Sequence, residues 1–276
     1  MKFRPLHRDF GVEVRDFDTQ SGGSAEEIAA LRAAWDDYGL LLFRGGGRLS
    51  PERQLEIAAW FGPPPPVANS AHGDYVTVLH NDDAAGAVPL AFHSDLTYTD
   101  HPIRGICLHA IALPQGPTST TFVSGVAAWR SLPEDLKSAV EGTRLRHKLD
   151  MFASGYDWPV FIAEHPTVLP HPGRGEPVLF VTEYHADRIL ELDEARSRSV
   201  LDRLFAHLYA ERARYEHRWQ LHDLLMIDNI ALQHARTAQA DPAAGERALQ
   251  RVALSDATLD ELVERAREQE KARAGA

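Results

Sequence analysis

From residue 75 to residue 254 the sequence breaks into short apolar runs closed by turn residues: YVTVLH, LAFHSDLTY, RGICLHAIAL, TTFVSG, HPTVLPHP, PVLFVT, LLMIDN and ALQRVAL. Runs of this length between Gly, Pro, Asn and Asp are strands, and many in succession predict a β sandwich or barrel. Helices flank them. SAEEIAALRAAWDDYG opens on a Ser with Glu three positions later and ends at Gly39, the pattern of a capped helix. LLLFRG reads as a buried strand, and LSPERQLEIAAWFG as a second helix with Pro51 in its first turn and Gly62 at its end. The prolines of FGPPPPVANSAHGD exclude helix and central sheet. ELDEARSRSVLDRLFAHLYAERARYE is a helical insertion with Leu201, Leu204, Phe205 and Leu208 on one face. The expected fold is mainly β with flanking helices.

No repeat or linker divides the 276 residues, so a single domain, 1–276, is expected, with its core at about 25–255. Residues 256–276 are charged and alanine-rich, which suggests a surface helix fraying into a disordered end. A formal net charge of −11 is repelled by nucleic acid and by anionic membrane surfaces, so neither is an expected partner. No apolar run reaches the roughly 20 residues of a membrane span. The N-terminus lacks the apolar stretch of a secretory signal, and a cytoplasmic location is expected. The single cysteine, Cys107, sits in an apolar run and is expected to be an inert core thiol. The chain is compatible with a homo-oligomer.

The tripeptide His-x-Asp occurs at His7/Asp9, His72/Asp74, His80/Asp82, His93/Asp95 and His185/Asp187. The first two lie near a chain end and in a Gly/Pro loop, and His80/Asp82 leads into a turn. Asp187 could cap a helix. His93/Asp95 differs: Phe92, Leu96 and Tyr98 place it in a strand, where residues two apart share a face and unpaired polar groups are costly. A hydrogen-bonded core histidine is the alternative on this segment alone. HDLLMIDNIALQHART supplies a rigid, apolar setting for a distant third ligand, His234. Two histidines and one carboxylate suit a non-haem Fe(II) oxygenase; zinc hydrolysis would need a general base that the segment lacks. In ERALQRVAL, Arg247 and Arg251 share a strand face, as two carboxylate-binding guanidiniums would. Exposed edge arginines are the alternative.

These segments, in this order, resemble the taurine dioxygenase/TfdA family of Fe(II)- and 2-oxoglutarate-dependent dioxygenases. The matching stretches are FHSDLTY, TTFVSGVAAWRSLP, HPTVLPHPGRGEPVLFV, the Asp-Asn of MIDN, His234 and Arg247-x-x-x-Arg251. The resemblance implies a distorted double-stranded β-helix, a cupin-like jelly roll. It implies Fe(II) on His93, Asp95 and His234, and 2-oxoglutarate held by Arg247 and Thr120. It further implies that 2-oxoglutarate and O2 are consumed, that succinate and CO2 form, and that a C–H bond of a small anionic substrate is oxidised. Arg251, His185 and Tyr98 are then expected to bind that substrate. FGPPPPVANS and Pro89 depart from the segments that hold taurine's sulfonate, which argues against taurine itself. A non-catalytic cupin-type binding protein is the competing class.

Overall fold

The computed structural model describes residues 1–64, 76–81, 89–150, 158–236 and 244–275. His72, Asp74, Asp82 and most of the proline-rich stretch lie outside the described residues. Among those described, the largest sheet has seven strands in the order Lys2–Pro5, Val12–Arg15, Leu40–Phe43, Leu224–Asp228, Gly105–Ala112, Ala248–Leu254 and Thr77–His80. A four-stranded sheet, Tyr215–Arg218, Ser119–Ser124, Leu232–Arg236 and Leu90–His93, packs against it. A three-stranded sheet (Ala186–Ile189, Arg144–Leu149, Phe161–Pro166) and a hairpin (Val168–Pro170, Pro177–Leu179) extend the smaller layer.

The strand Leu224–Asp228 shows why an unbroken apolar run belongs at the centre of the large sheet. Side chains alternate between faces, so a strand covered on both sides is apolar throughout. Leu225 and Ile227 meet Ile106, Leu108 and Leu249 in the core shared with Phe122 and Leu232 of the smaller sheet. Leu224 and Met226 point the other way, onto Leu31, Trp35 and Ile57 of the two N-terminal helices. Each such fully buried side chain contributes about 1.5–3 kcal/mol. The first of these helices, Ala25–Tyr38, carries the expected capping box of Ser24 and Glu27. It stops at Gly39, whose φ of 71° lets its N–H reach the Trp35 carbonyl at 2.7 Å.

Several expectations are corrected. The second helix, Pro51–Ala59, ends before Gly62, with Trp60 as its cap. The insertion helix is Glu194–Leu208, with Asp193 as its cap; YAERARYE leaves it, and Tyr215–Arg218 becomes a strand paired with Ser119–Ser124. Tertiary contact overrides helix propensity there: Tyr209 stacks on Phe92 at 4.4 Å and its hydroxyl donates to Gln233 at 2.7 Å. At the C-terminus, Leu259–Ala274 is a capped helix whose Leu262 and Ala266 pack on Phe161. Asp187 is no helix cap; it lies in the strand Ala186–Ile189 and pairs with Arg146. The strand RLRHKL, Arg144–Leu149, was hidden by its charges, since only Leu145 and His147 are buried.

Candidate active site

His93 ends the strand Leu90–His93, and His234 is its Cα partner on Leu232–Arg236, so backbone pairing brings two imidazoles separated by 141 positions to 4.3 Å between ring centroids. Asp95 Oδ1 lies 3.4 Å from His93 Nε2 and 3.6 Å from His234 Nε2. All three candidate ligand atoms fall within 4.8 Å of one another. His93 Nδ1 donates to the Ala91 carbonyl at 2.9 Å, which leaves the Nε2 lone pair facing the other two groups. Burial, and then repulsion from His93, lower the His234 pKa to about 3, so this ring is neutral, as a metal ligand must be. Burial opposes ionisation of Asp95, but the Arg251 guanidinium and the two imidazoles outweigh it and hold the carboxyl well below the usual range. A 2-His-1-carboxylate set with a neutral His234 ring and an ionised oxygen fits Fe(II).

Asp95 does not arrive there on a strand. The strand stops at His93, and Asp95 sits in a turn followed by Leu96 with a φ of 59°. The side chain of Asn229 substitutes for a neighbouring strand. Its Oδ1 accepts from Asp95 N at 2.8 Å, and its Nδ2 donates to the carbonyls of Asp95 at 3.0 Å and Ile103 at 2.8 Å. The Asp-Asn pair was legible in the sequence; this clamp was not. Arg251, expected to bind the substrate, also donates from Nη2 to Asp95 Oδ2 at 2.6 Å. The two carboxylate oxygens thus divide their work, Oδ1 toward the imidazoles and Oδ2 toward the arginine.

These groups open into a cavity of about 500 Å3, whose lining includes Tyr98, Thr120, His185, Arg247 and Arg251. Arg247 is only 7% exposed, and its backbone exchanges two 3.1 Å hydrogen bonds with Asn81. Its Nε is buried with no hydrogen-bond partner among the described residues. Burial, followed by the nearby charge of Arg236, lowers its pKa to about 10. A desolvated guanidinium of this kind calls for an anion. Thr120 faces the same space, and its Oγ1 accepts from Trp219 Nε1 at 3.0 Å.

His185 is 4% exposed, with Nδ1 2.9 Å from Thr97 Oγ1 and its ring edge-on to both His93 and Tyr98. Burial, then the charge of His93, lower its pKa to about 3, and burial raises that of the Tyr98 phenol. Elsewhere, His7 bonds the Arg212 carbonyl, far from the triad in its role, and His80 pairs with Glu246 while lining the cavity. Burial pushes the Cys107 thiol up to about 12, consistent with an inert core residue. A second His/Asp cluster, Asp36, His171 and Asp228, satisfies the same distance criterion, yet the Arg104 guanidinium already pairs with both of its carboxylates.

A jelly-roll layer pair carrying this triad beside a buried arginine defines a 2-oxoglutarate-dependent non-haem iron dioxygenase. The chain belongs to the taurine catabolism dioxygenase TauD, TfdA family, which matches residues 2–253. It is 28% identical to the α-ketoglutarate-dependent 2,4-dichlorophenoxyacetate dioxygenase of Cupriavidus pinatubonensis, over 92% of this chain and 98% of the relative. Identity is 31% to the (S)-phenoxypropionate/α-ketoglutarate dioxygenase of Sphingobium herbicidovorans, over 84% of this chain and 88% of that one. A solved taurine dioxygenase from Burkholderia xenovorans shares the fold with a TM-score of 0.80 and 24% identity, covering 92% of this chain and 90% of its own. These relatives favour the enzyme over the binding-protein alternative. Among the described residues no helix is long and apolar enough to cross a membrane.

Proposed function

We propose that His93, Asp95 and His234 hold Fe(II), that Arg247 and Thr120 hold the far carboxylate of 2-oxoglutarate, and that the remaining cavity takes a small organic acid oxidised at a C–H bond. When bound, Fe(II) couples oxidative decarboxylation of 2-oxoglutarate by O2, which yields succinate and CO2, to oxidation of that bond. The observation that carries the reading is the unpartnered, buried Arg247 Nε in the same cavity as the triad. A carboxylate placed there would satisfy the donor and neutralise the charge, and Thr120 would add a hydroxyl from the facing sheet.

The chain's own groups then bind, orient and exclude water. Asn229 keeps Asp95 Oδ1 aimed at the imidazoles, and Arg251 occupies Oδ2, which favours a single ligating oxygen. A guanidinium has five donors, so Arg251 retains donors for a substrate anion after serving Asp95. His185 and Tyr98 supply a neutral ring and a protonated phenol to the cavity wall. Leu149, Trp158 and Leu259 line the cavity as well and suit an apolar substrate body. The named substrates of the two relatives, a phenoxyacetate and a phenoxypropionate, pair an acid group with such a body, which supports the same class here.

Two measurements test this. Anaerobic addition of 2-oxoglutarate to the Fe(II)-loaded protein is expected to give a weak visible charge-transfer band, and absence of the band would sink the cosubstrate site. A panel of small acids and their neutral amides, screened for substrate-dependent succinate, is expected to show turnover of acids and poor turnover of amides. Equal turnover of both would remove Arg251 from substrate binding.

A further inference from the structure

A row of buried polar side chains runs from the protein surface to the cosubstrate pocket and ends on Thr120. Arg44 grips Asp223 through Nε and Nη2, at 2.8 and 2.7 Å. His217 Nε2 lies 3.2 Å from the same carboxylate. The Trp219 indole stands edge-on to His217, 4.6 Å between centroids and 89° between planes. Its Nε1 reaches Thr120 Oγ1 at 3.0 Å. Asp223 is 0%, His217 1% and Trp219 6% exposed, so this row is costly unless each group is placed for a purpose.

We infer that Trp219 is a positioning residue that makes the Thr120 hydroxyl a dedicated hydrogen-bond donor to the far carboxylate of the 2-oxo acid. The inference rests on the cosubstrate reading above. An indole N–H can only donate, so in its bond to Thr120 the hydroxyl oxygen must be the acceptor. That occupies one lone pair and leaves the hydroxyl proton free to point into the cavity, where a carboxylate, which only accepts, requires a donor. Without Trp219 the hydroxyl is free to rotate, and its proton is no longer biased toward the cavity. The backbone holds the pair in register: Thr120 is the Cα partner of His217, and the Trp219 N–H continues the ladder to the Thr118 carbonyl at 3.0 Å. Accepting from the indole also polarises the hydroxyl and strengthens its onward bond.

The test is a double-mutant cycle read as the Kd for 2-oxoglutarate, by calorimetry on the Fe(II)-loaded protein under argon. Trp219→Phe keeps an aromatic ring against His217 and removes the N–H together with the five-membered part of the indole; the Thr120→Val background separates the hydrogen bond from the lost packing. It is expected to raise the Kd by about 5- to 10-fold, the loss of one hydrogen bond's influence. In the Thr120→Val background the same change is expected to add less than about 2-fold, because the hydroxyl it acts through is gone. Binding of 2-oxopentanoate, which lacks the far carboxylate, is expected to be unchanged by Trp219→Phe. An equal loss in both backgrounds, or an equal loss for 2-oxopentanoate, overturns the inference and makes Trp219 a packing residue. Should Trp219→Phe not fold, the indole 15N–1H signals of the Zn(II)-loaded protein decide instead. 2-Oxoglutarate is expected to shift one indole signal in the wild type and not in Thr120→Val; identical spectra overturn the inference. The underlying reading fails separately: it is lost if Arg247→Ala leaves the Kd for 2-oxoglutarate unchanged.

Discussion

The described residues contain two clusters of histidine and aspartate that are equivalent by distance and opposite in what they lack. In the first, His93, Asp95 and His234 aim two imidazole nitrogens and one carboxylate oxygen at a shared point beside a cavity. In the second, His171 Nε2 bonds Asp228 Oδ2 at 2.8 Å, and Arg104 pairs with Asp228 and Asp36. Asp228 Oδ1 is used as well, accepting at 3.0 Å from the backbone N–H groups of Ile230 and Ala231. The second cluster holds its cation already, as the Arg104 guanidinium, and both oxygens of Asp228 are satisfied. Residue types at ligand spacing therefore do not by themselves make a metal site; an uncompensated convergence of lone pairs is needed as well.

The strongest way to break this comparison is to remove ligands. His93→Ala, Asp95→Ala or His234→Ala is expected to reduce Fe(II) content and activity to background while the chain stays folded. His80→Ala is expected to keep both, and iron retained by His93→Ala but lost by His80→Ala would reverse the assignment. Next, Arg104→Met in the second cluster leaves the buried Asp228 with His171 and two backbone N–H groups but without its arginine. Stability is expected to fall by about 3 kcal/mol or more in urea unfolding, with Fe(II) content per folded chain unchanged. Loss of iron at full stability would mean that the two clusters had been confused. Within the first region, Arg247→Ala is expected to weaken 2-oxoglutarate by roughly 30-fold or more, since losing one partner of a desolvated pair costs about 2–5 kcal/mol. Anaerobic titration reads this directly.

Smaller changes sharpen the contrast between groups awaiting a ligand and groups already paired. Asn229→Ala removes the clamp on Asp95 and is expected to cost about 1–3 kcal/mol of stability together with a weaker Fe(II) affinity. An intact affinity would show that the turn holds itself. His109 is a fully paired imidazole: Nε2 accepts from the Leu49 N–H at 3.1 Å, and Nδ1 lies 3.3 Å from the Asp223 carbonyl. Burial lowers its pKa to about 4. Below its ordinary value near 6.5 the unfolded chain binds the proton more readily, so stability is expected to fall progressively from about pH 6.5 to pH 4, with no penalty above that range. His109→Gln is expected to show a shallower slope in urea titrations across this window; an unchanged slope would exclude His109 as its source.

Much of the fold was legible because its causes are local. Ser24, Ser50 and Thr258 cap their helices, and Leu224–Asp228 is central because it is apolar on both faces. Legibility failed where distant contacts outweighed local pattern, as at Tyr215–Arg218, a strand whose first two residues were read as the end of a helix because its partner lies about a hundred positions away. The site divides the same way. Sequence order and resemblance singled out His93, Asp95, His234, Arg247 and Thr120, since residue types and spacing are written along the chain. Which oxygen of Asp95 faces the imidazoles, how Asn229 reaches it from 134 positions away, and why Arg104 closes one cluster while the other stays open were decided only by packing. Hydrogen bonds and ion pairs depend on ångström-scale distances and directions, which a one-dimensional order of residues does not contain.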